Sequence, residues 1–454
     1  MRIDSTTIPS ARWNLLARLG LHRQDQRAWA MYDWAISSVQ TTVMVAVFPI
    51  FFIQVAGAEV GAARASQWWA GANGAAIAFV AILSPILGAI ADYTGSKKRS
   101  LGVWMVTGAA GCAGMFLIGR GDLLLASLLF VIVAIGAASS VVFYDALLPH
   151  VAAHDEIDRV SSSAYAVGYF GGGVLLALNL MMIQKPQWFG LPSGDSTLAV
   201  RLSMVSVAVW WLLFSIPLFR RVTEPERRLE SDEEAGQNPI RIAIRRLSET
   251  FHELRRYKHG FLMLLALLIY NDGIATIGRM AAAYGTELGI RRESLIAAIL
   301  IVQFVGVPAT FIFGWLASRV GAKRAIFLGL VVYAGISIFG YFMQTAAHFY
   351  VLAFAVGLVQ GGTQALSRSL FAILIPHHKS AEFFGFYSVF TKFAGILGPL
   401  LFAGVIGATG SSRNAILSVI VFFFAGAAVL TFVNVEEGER VAREAERNTR
   451  AMAS

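Results

Sequence analysis

The chain has 454 residues, of which 56% are hydrophobic and only 14% are charged, and its formal net charge is +9. Because an average soluble domain is about 25% charged, this composition excludes a soluble globular protein. The single cysteine, Cys112, excludes an internal disulfide and a cysteine-rich metal site, and we expect it to be a small buried residue of a helix.

Apolar runs of about 20 residues, each long enough to cross a bilayer as a helix, recur along the whole chain. These runs predict an all-α integral membrane protein with twelve spans. The predicted limits of the spans are 31–56, 66–91, 101–119, 123–147, 161–185, 199–219, 260–286, 294–318, 325–343, 348–375, 380–406 and 412–433. The predicted parts of the chain are an N-terminal tail (1–27), a six-helix bundle (28–219), a linker (220–259), a second six-helix bundle (260–433) and a C-terminal tail (434–454).

The N-terminal tail is polar and basic, with Arg12, Arg18, Arg23 and Arg27, and it lacks an apolar stretch. We therefore expect no cleavable signal peptide. Most other Lys and Arg residues fall on the same side of the membrane as this tail, and this bias predicts that both termini are cytoplasmic. Lipid headgroups then account for the positive charge, without a nucleic-acid partner. The short loops and tails favour a bacterial inner membrane.

The linker contains ten Lys or Arg residues and eight Asp or Glu residues. Within it, residues 240–257 place apolar side chains at helical spacing. This pattern predicts an amphipathic helix on the cytoplasmic face. A plain solvated linker is the alternative for a segment of this composition.

Three short patterns recur in the same order, six spans apart. The matches are "GAIADYTGSKKR" (88–99) with "GWLASRVGAKR" (314–324), "DALLPH" (145–150) with "AILIPH" (372–377), and "YDWA" (32–35) with "YNDG" (270–273). A repeat with an even number of spans gives two halves of the same orientation, and in one class of transporter such halves rock about a central substrate path. The patterns therefore predict two parallel six-helix pseudo-repeats.

The loop after the second span carries a Gly, an Asp four residues later and a downstream basic pair, which resembles the signature of the major facilitator superfamily. Longer stretches resemble its vacuole-effluxer-like branch, also called the unknown major facilitator family. These stretches are "YDWAISSVQTTVMVAVFPIFF" (32–52), "VFYDALLPHVA" (142–152), "YAVGYFGGGVLL" (165–176), "YNDGIATI" (270–277) and "GGTQALSRSLFAILIPHHKSAEFFGFYSVFTKFAGILGPLL" (361–401). The resemblance covers nearly the whole membrane part of the chain.

The resemblance implies a major facilitator fold with twelve helices, working as a monomer that transports a solute by alternating access without a cofactor. The best-known fungal relatives release amino acids from the vacuole, so an amino acid or another zwitterion is the expected substrate class, with protons as a candidate coupling ion. An enzyme is disfavoured because HExxH and Ser–His–Asp patterns are absent from the sequence, and an ATP-driven pump because a Walker motif is absent. A membrane sensor or a channel on the same fold is the alternative.

The loop signature predicts a cytoplasmic gate. Gly88 lets two helices approach closely, and Asp92, at a helix end, can pair with a basic residue or with the N-terminus of a neighbouring helix. Such charges would hold the two halves together in an outward-open state. The chain departs from the superfamily pattern at Tyr93 and, in the second copy, at Ser318, so we expect a weaker or rearranged network of gate charges. The predicted gate residues are Gly88, Asp92, Gly95, Lys97, Lys98 and Arg319.

Charged residues inside the spans are the candidates for the transport site. An Asp or Arg at the centre of a bilayer costs about 2.5–3.5 kcal/mol, so it persists only where it faces a hydrated cavity or a partner. Asp272, Thr276 and Arg279 are spaced to share one face of the seventh span. Asp272 lies near mid-membrane. Arg279 lies close to the outer interface, where extending to the headgroups is the alternative role.

Other spans carry polar faces of the same kind. These faces are Asp33, Ser37 and Gln40 in the first span, Tyr165 and Tyr169 in the fifth, Gln360, Gln364 and Arg368 in the tenth, and Ser388 and Lys392 in the eleventh. For Asp33 the alternative role is a helix cap or gate. For Arg368 it is an ion pair with Asp145 or Glu382. The predicted substrate pathway consists of Asp33, Gln40, Asn271, Asp272, Thr276, Arg279, Gln360, Gln364, Arg368 and Lys392.

These faces predict a site for a zwitterion in a central cavity. We expect Asp272 and Lys392 to face each other across it, with the solute carboxylate on Lys392 and its ammonium near Asp272. Neutral hydrogen bonds would come from Gln40, Asn271, Gln360 and Gln364. Protonation of Asp272 or Asp33 would couple transport to a proton gradient, since burial disfavours the charged form of a carboxylate. A static structural pair of Asp272 and Lys392 is the alternative.

Overall fold

A computed structural model of the chain describes residues 16–192, 196–227, 238–252 and 257–453. Twelve helices in these ranges are long and apolar enough to cross a membrane, which confirms the predicted all-α membrane fold. They are α1 (Gln24–Ala56), α2 (Ala62–Thr94), α3 (Lys97–Leu117), α4 (Leu123–Val151), α5 (Ile157–Gln184), α6 (Ser196–Arg221), α7 (Lys258–Glu287), α8 (Arg292–Val320), α9 (Ala322–Tyr341), α10 (Ala346–Ile373), α11 (His377–Thr409) and α12 (Ser412–Thr431). Arg12 of the N-terminal tail lies outside the described residues.

The first six helices (the N half) and the last six (the C half) pack in the same way. In the N half, α1 packs against α5 and α6, and α4 packs against α2 and α3. In the C half, α7 packs against α11 and α12, and α10 packs against α8 and α9. The contacts between the halves follow the same symmetry, since α2 meets α11 and α5 meets α8. Two parallel six-helix pseudo-repeats are therefore confirmed.

Two further helices lie at one end of the molecule. The linker helix (Pro239–His252) packs against α2, and the C-terminal helix (Val435–Ala453) packs against α7 and α10. We call this end, which also carries the α2–α3 loop, the basic end. The linker helix is the described part of the predicted amphipathic segment, whose residues 253–256 lie outside the described residues.

The C-terminal helix contacts both halves at the basic end. Glu439 pairs with His154, in the α4–α5 loop of the N half, at 2.9 Å. Glu446 accepts a hydrogen bond from the backbone N–H of His377, at the start of α11 in the C half, also at 2.9 Å. The helix thus lies across the junction between the halves.

Glycines show how the halves meet. A Cβ added to Gly88 of α2 would lie 2.1 Å from the carbonyl oxygen of Ala381, and one added to Gly385 of α11 would lie 2.7 Å from the Cα of Pro85. Gly74 lies two heptads before Gly88 and therefore on the same face of α2. Among the described residues, no heavy atom lies within 4 Å of a Cβ added at Gly74. The helices α2 and α11 therefore touch near the basic end and separate toward the opposite end.

The spans α1 and α11 depart from regular helix. In α1, residues Val39–Ala46 and Phe52–Ala56 form wider turns, in which the N–H of Val47 reaches back five residues to the carbonyl of Thr42 at 3.0 Å. In α11 the chain breaks at Gly395, so that this span has an inner half (Ser380–Phe393) and an outer half (Leu397–Thr409). The sequence had predicted a single uninterrupted span there.

Candidate functional site

A buried ionic cluster joins the two halves near the basic end. The Nη1 of Arg368, on α10, donates to Oδ1 of Asp145 on α4 at 3.0 Å and to Oδ2 of Asp33 on α1 at 3.2 Å. Its Nε and Nη2 donate to the hydroxyl and the backbone carbonyl of Ser161 on α5, each at 3.0 Å. All three charged residues are buried, and Arg368 is only 2% exposed. One cation of the C half is therefore held by three helices of the N half.

Aromatic rings enclose the guanidinium. The Cζ of Arg368 lies 4.3 Å from the ring centroid of Tyr165 and 4.9 Å from that of Trp29. Tyr144 stacks on Trp29 at 4.4 Å and donates its hydroxyl to Oδ2 of Asp33 at 2.8 Å. Ring faces attract a cation and exclude water from it. The Arg368 cluster, as we call it, comprises Arg368, Asp33, Asp145, Ser161, Tyr144, Tyr165 and Trp29.

Further hydrogen bonds between the halves surround the Arg368 cluster. The hydroxyl of Ser161 donates to the carbonyl of Ala365 at 2.7 Å, and that of Ser369, on α10, donates to Asp158 on α5. The hydroxyl of Ser380, on α11, donates to the carbonyl of Ala146 on α4 at 3.0 Å. These bonds connect two pairs of helices across the junction, α5 with α10 and α4 with α11. The basic end is consequently closed by polar as well as steric contacts.

Asp92 makes the contact that its position in the loop signature predicts. Its carboxylate accepts the backbone N–H groups of Ala381 and Glu382, at 3.3 and 2.8 Å, and so occupies the N-terminus of α11. It also pairs with Lys97 at 2.9 Å. The negative charge lies where the helix dipole and the free N–H groups favour it. Asp92 thus binds α11 of the C half to α2 of the N half.

We expect Asp92→Asn to destabilise the closed arrangement of the basic end by about 1–2 kcal/mol, because the amide places no negative charge at the N-terminus of α11. The ratio of closed to open protein then falls by about 5- to 30-fold. The measurement is the rate of thiol labelling at Ser380→Cys in a Cys112→Ser background, since the Ser380 side chain is fully buried between the halves. Asp122→Asn is the matched control, because Asp122 is exposed at the opposite end. An unchanged labelling rate for Asp92→Asn would contradict the expectation.

The structure does not bring all the predicted gate residues to the junction. Gly95 ends α2 with a φ of 64° and lies against Arg227 of the linker. Lys98 donates to the carbonyls of Phe219 and Val222 at the end of α6, away from the C half. Arg319 lies over the ring of Trp315 on its own helix, at 5.1 Å. Of the predicted set, Gly88, Asp92 and Lys97 lie at the junction.

The polar face of α7 is directed at the break in α11. Asp272 is 1% exposed, and its carboxylate accepts the N–H groups of Leu397 and Gly398 at 3.1 and 2.7 Å. The Nη1 of Arg279 donates to the carbonyl of Gly395 at 2.6 Å. Thr276 is fully buried between them. The three residues share one face of α7 as the sequence predicts, but backbone groups of α11 satisfy the two charges.

The expected pair of Asp272 and Lys392 is therefore not formed. Lys392 lies near the end of the inner half of α11 and is half-buried, and no carboxylate of the described residues lies within 4 Å of its ammonium group. The amide side chains of the predicted pathway are also accessible. Asn271, Gln360 and Gln364 are half-buried, and Gln40, in the wide-turn segment of α1, is exposed.

A cleft of about 550 Å³ opens between α2 and α4, away from the basic end. Leu124, Leu128 and Val131 of α4 line one side of it, and Trp68 of α2 lines the other. Leu124 and Val131 stand at heptad spacing from Asp145 and therefore near its face of α4, whereas Leu128 lies to one side of that face. The cleft thus has a largely apolar wall within the N half.

Sequence reasoning named Asp145 only as an alternative partner of Arg368, and it missed Tyr144, Ser161 and Trp29. The signal was present in "VFYDALLPH" (142–150), where a Tyr–Asp pair interrupts an apolar span. Trp29 and Asp33 are four residues apart and hence on one face of α1. That face is the one that packs against Tyr144.

Comparison with known proteins agrees with this architecture. The family described as "Vacuole effluxer Atg22 like" matches residues 71–443. An uncharacterised MFS-type transporter of Bacillus subtilis, YxiO, is 37% identical over 422 residues, which cover 93% of this chain and 97% of that protein. Autophagy-related protein 22 of Yarrowia lipolytica is 26% identical over 310 residues, 63% of this chain, and the match spans only 51% of the fungal protein.

Solved structures of major facilitator transporters share the fold. The transporter FucP in its outward conformation superposes with a TM-score of 0.70 at 14% identity, covering 91% of this chain and all of that one. The proton:xylose symporter XylE superposes with a TM-score of 0.67 at 14% identity, covering 94% and 99% of the two chains. At this level of identity the likeness concerns the fold.

Proposed function

Because the chain belongs to the vacuole effluxer Atg22-like family of major facilitator transporters, which are not enzymes, we propose that it moves a small polar solute across the membrane by alternating access. One observation carries the proposal. The Arg368 cluster holds the two halves together at the basic end, while α2 and α11 separate toward the opposite end. A solute enters from the open end and leaves when the basic end opens.

We assign the basic end to the cytoplasm. The clustering of Lys and Arg at this end supports the assignment, because cytoplasmic loops of membrane proteins are enriched in these residues. The arrangement described here is then the outward-open one, both termini are cytoplasmic, and the similarity to a bacterial transporter supports a bacterial inner membrane.

The proposed solute is an amino acid or another zwitterion. Lys392 is half-buried, and its ammonium group has no carboxylate of the described residues within 4 Å, which makes it the candidate for the solute carboxylate. Because α11 already occupies the carboxylate of Asp272, the solute ammonium is assigned to amide oxygens instead. The amides proposed for this role are those of Asn271, Gln360 and Gln364.

A thermal-shift screen of the purified protein against amino acids, peptides, sugars and organic acids tests the solute class. We expect amino acids to raise the unfolding temperature and Lys392→Met to abolish the rise. Flux in proteoliposomes that saturates and shows counterflow supports a carrier. Flux without saturation favours a channel, and binding without flux favours a sensor.

We propose that the Arg368 cluster couples transport to protons. It holds two carboxylates and one guanidinium, so that one added proton makes it neutral. Opening the basic end separates Arg368 from Asp33 and Asp145, and removing the partner of a buried charge costs about 3–5 kcal/mol. A proton on either carboxylate reduces this penalty, which links opening to protonation.

With Asp33→Asn we expect exchange of solute across the membrane to continue while proton-driven accumulation is lost, because an amide takes up no proton. One pH unit across the membrane supports about tenfold accumulation per proton in the unchanged protein, and none is expected in the variant. The measurement is solute uptake into proteoliposomes with and without a pH gradient. Asp25→Asn, at an exposed pair with Arg23, is the control. Undiminished accumulation by Asp33→Asn would refute coupling through this residue.

A further inference from the structure

The break in α11 leaves backbone groups without helical partners in the middle of a span. The inner half ends at Phe393, Gly395 has a φ of 94°, and the outer half begins at Leu397. The end of the inner half therefore presents free carbonyls, and the start of the outer half presents free N–H groups. Within a membrane such groups require partners.

Helix α7 supplies a partner of the appropriate charge at each side of the break. The carboxylate of Asp272 accepts the first N–H groups of the outer half, where the helix dipole is positive. The guanidinium of Arg279 donates to the carbonyl of Gly395. A Cβ added to Gly398 would lie 1.7 Å from the Thr276 hydroxyl, so the outer half approaches α7 as closely as a glycine permits.

Discontinuous helices in transporters usually direct their half-helix ends at a substrate or an ion. Here Asp272 occupies the start of the outer half and Arg279 binds the carbonyl of Gly395 in the break itself, so the break serves as a joint rather than as a ligand site. We propose that Asp272 and Arg279 are positioning residues that set the angle between the two halves of α11. We further propose that the outer half swings about Gly395 to close the opposite end when the basic end opens. The swing rests on the proposed alternating access. The fixing of the angle by Asp272 and Arg279, which we call the clamp, does not rest on it.

The packing of the two halves of α11 supports a joint at this position. The inner half is held against α2 through Gly385 and through the bond from Asp92 to Glu382. In the outer half, Gly404 and Gly407 have no heavy atom of the described residues within 4 Å of an added Cβ. The inner half is therefore fixed against α2, whereas the outer half is open on the face that carries Gly404 and Gly407.

A distance within the C half tests the clamp. Spin labels are attached at Gly407→Cys on α11 and at Phe342→Cys just after α9, in a Cys112→Ser background. Both positions lie at the opposite end of the C half, so the rocking of the two halves does not change the distance between them. The measurement uses the purified full chain without solute. A change of about 15° at Gly395 moves residue 407 by about 5 Å, because 12 helical residues span about 18 Å. We expect Asp272→Asn and Arg279→Gln each to shift or broaden the distance distribution by several ångströms.

Thr276→Val is the matched control, since Thr276 lies on the same face and its hydroxyl donates to its own helix, to the carbonyl of Asp272. We expect Thr276→Val to leave the distance distribution unchanged. Arg279→Lys keeps a charged donor, so its distribution should resemble that of the unchanged protein more than the distribution of Arg279→Gln does. If Asp272→Asn fails to fold, Arg279→Gln still tests the clamp, because Arg279 is exposed.

The clamp would be overturned if Asp272→Asn and Arg279→Gln both gave the distance distribution of the unchanged protein. That outcome would leave the transport proposal standing. A shift without any solute flux would support the clamp and refute the proposed function.

Discussion

Arg368→Gln is expected to abolish solute counterflow and to open the basic end. The substitution leaves Asp33 and Asp145 buried without their counter-charge in the closed arrangement, where they are 8% and 5% exposed. Uncompensated burial of this kind costs about 3–5 kcal/mol, which changes the ratio of closed to open protein by about 150- to 5,000-fold. The measurements are counterflow in proteoliposomes and the rate of thiol labelling at Ser380→Cys in the Cys112→Ser background.

Two further variants make this result specific. Arg319→Gln removes an exposed arginine that contacts its own helix, and it is expected to leave both measurements unchanged. Adding Asp33→Asn and Asp145→Asn to Arg368→Gln removes the unpaired charges, so labelling should slow again while transport stays absent. Slow labelling of Arg368→Gln alone would mean that the cluster does not hold the halves together.

Gly88→Val is expected to prevent closure of the basic end. A Cβ at this position would lie 2.1 Å from the carbonyl oxygen of Ala381, whereas non-bonded heavy atoms settle at about 3.5–4.0 Å. The contacting atom belongs to the backbone, so the halves must move apart by more than 1 Å, and the hydrogen bonds of Asp92 to α11 are lost. Overpacking and lost bonds together amount to about 2–4 kcal/mol, or about 30- to 1,000-fold in the closed fraction.

Gly74→Val provides the comparison for this variant. Gly74 lies on the same face of α2, but an added Cβ meets no described atom within 4 Å there. We expect Gly88→Val to speed labelling at Ser380→Cys and to suppress counterflow, and Gly74→Val to change neither closure nor labelling at the basic end. Equal behaviour of the two variants would show that the contact between α2 and α11 does not control the gate.

The parts of the fold that depend on apolar length and repetition followed from the sequence. A run of about 20 apolar residues is stable in a bilayer as a membrane-spanning α-helix, so the spans were predictable. The contact of Asp92 with a helix N-terminus was also predictable, because the charge and its place at a helix end are both visible in the loop signature. The pair of Arg368 and Asp145 was available only as one of two alternatives, since its choice depends on how two distant spans pack.

The role of Asp272 was not predictable in the same way. Reasoning from charged pairs led to Lys392, whereas the carboxylate binds backbone N–H groups that exist only because α11 is broken. Hydropathy continues unchanged through the break, so the apolar pattern carries no sign of it. Gly395 and Pro399 were the available signals, because a Gly adopts positive φ readily and a Pro favours the first turn of a helix.

The wide turns of α1 affect how mutagenesis of this helix should be interpreted. Each turn that closes over five residues rather than four adds one residue to the helix, and every side chain beyond it is rotated by about 100° relative to a regular helical wheel. Trp29 and Asp33 precede Val39 and follow regular periodicity, whereas residues after Ala46 do not continue their stripe. A cysteine scan along α1 should therefore show one phase of accessibility before Val39 and another after Ala46.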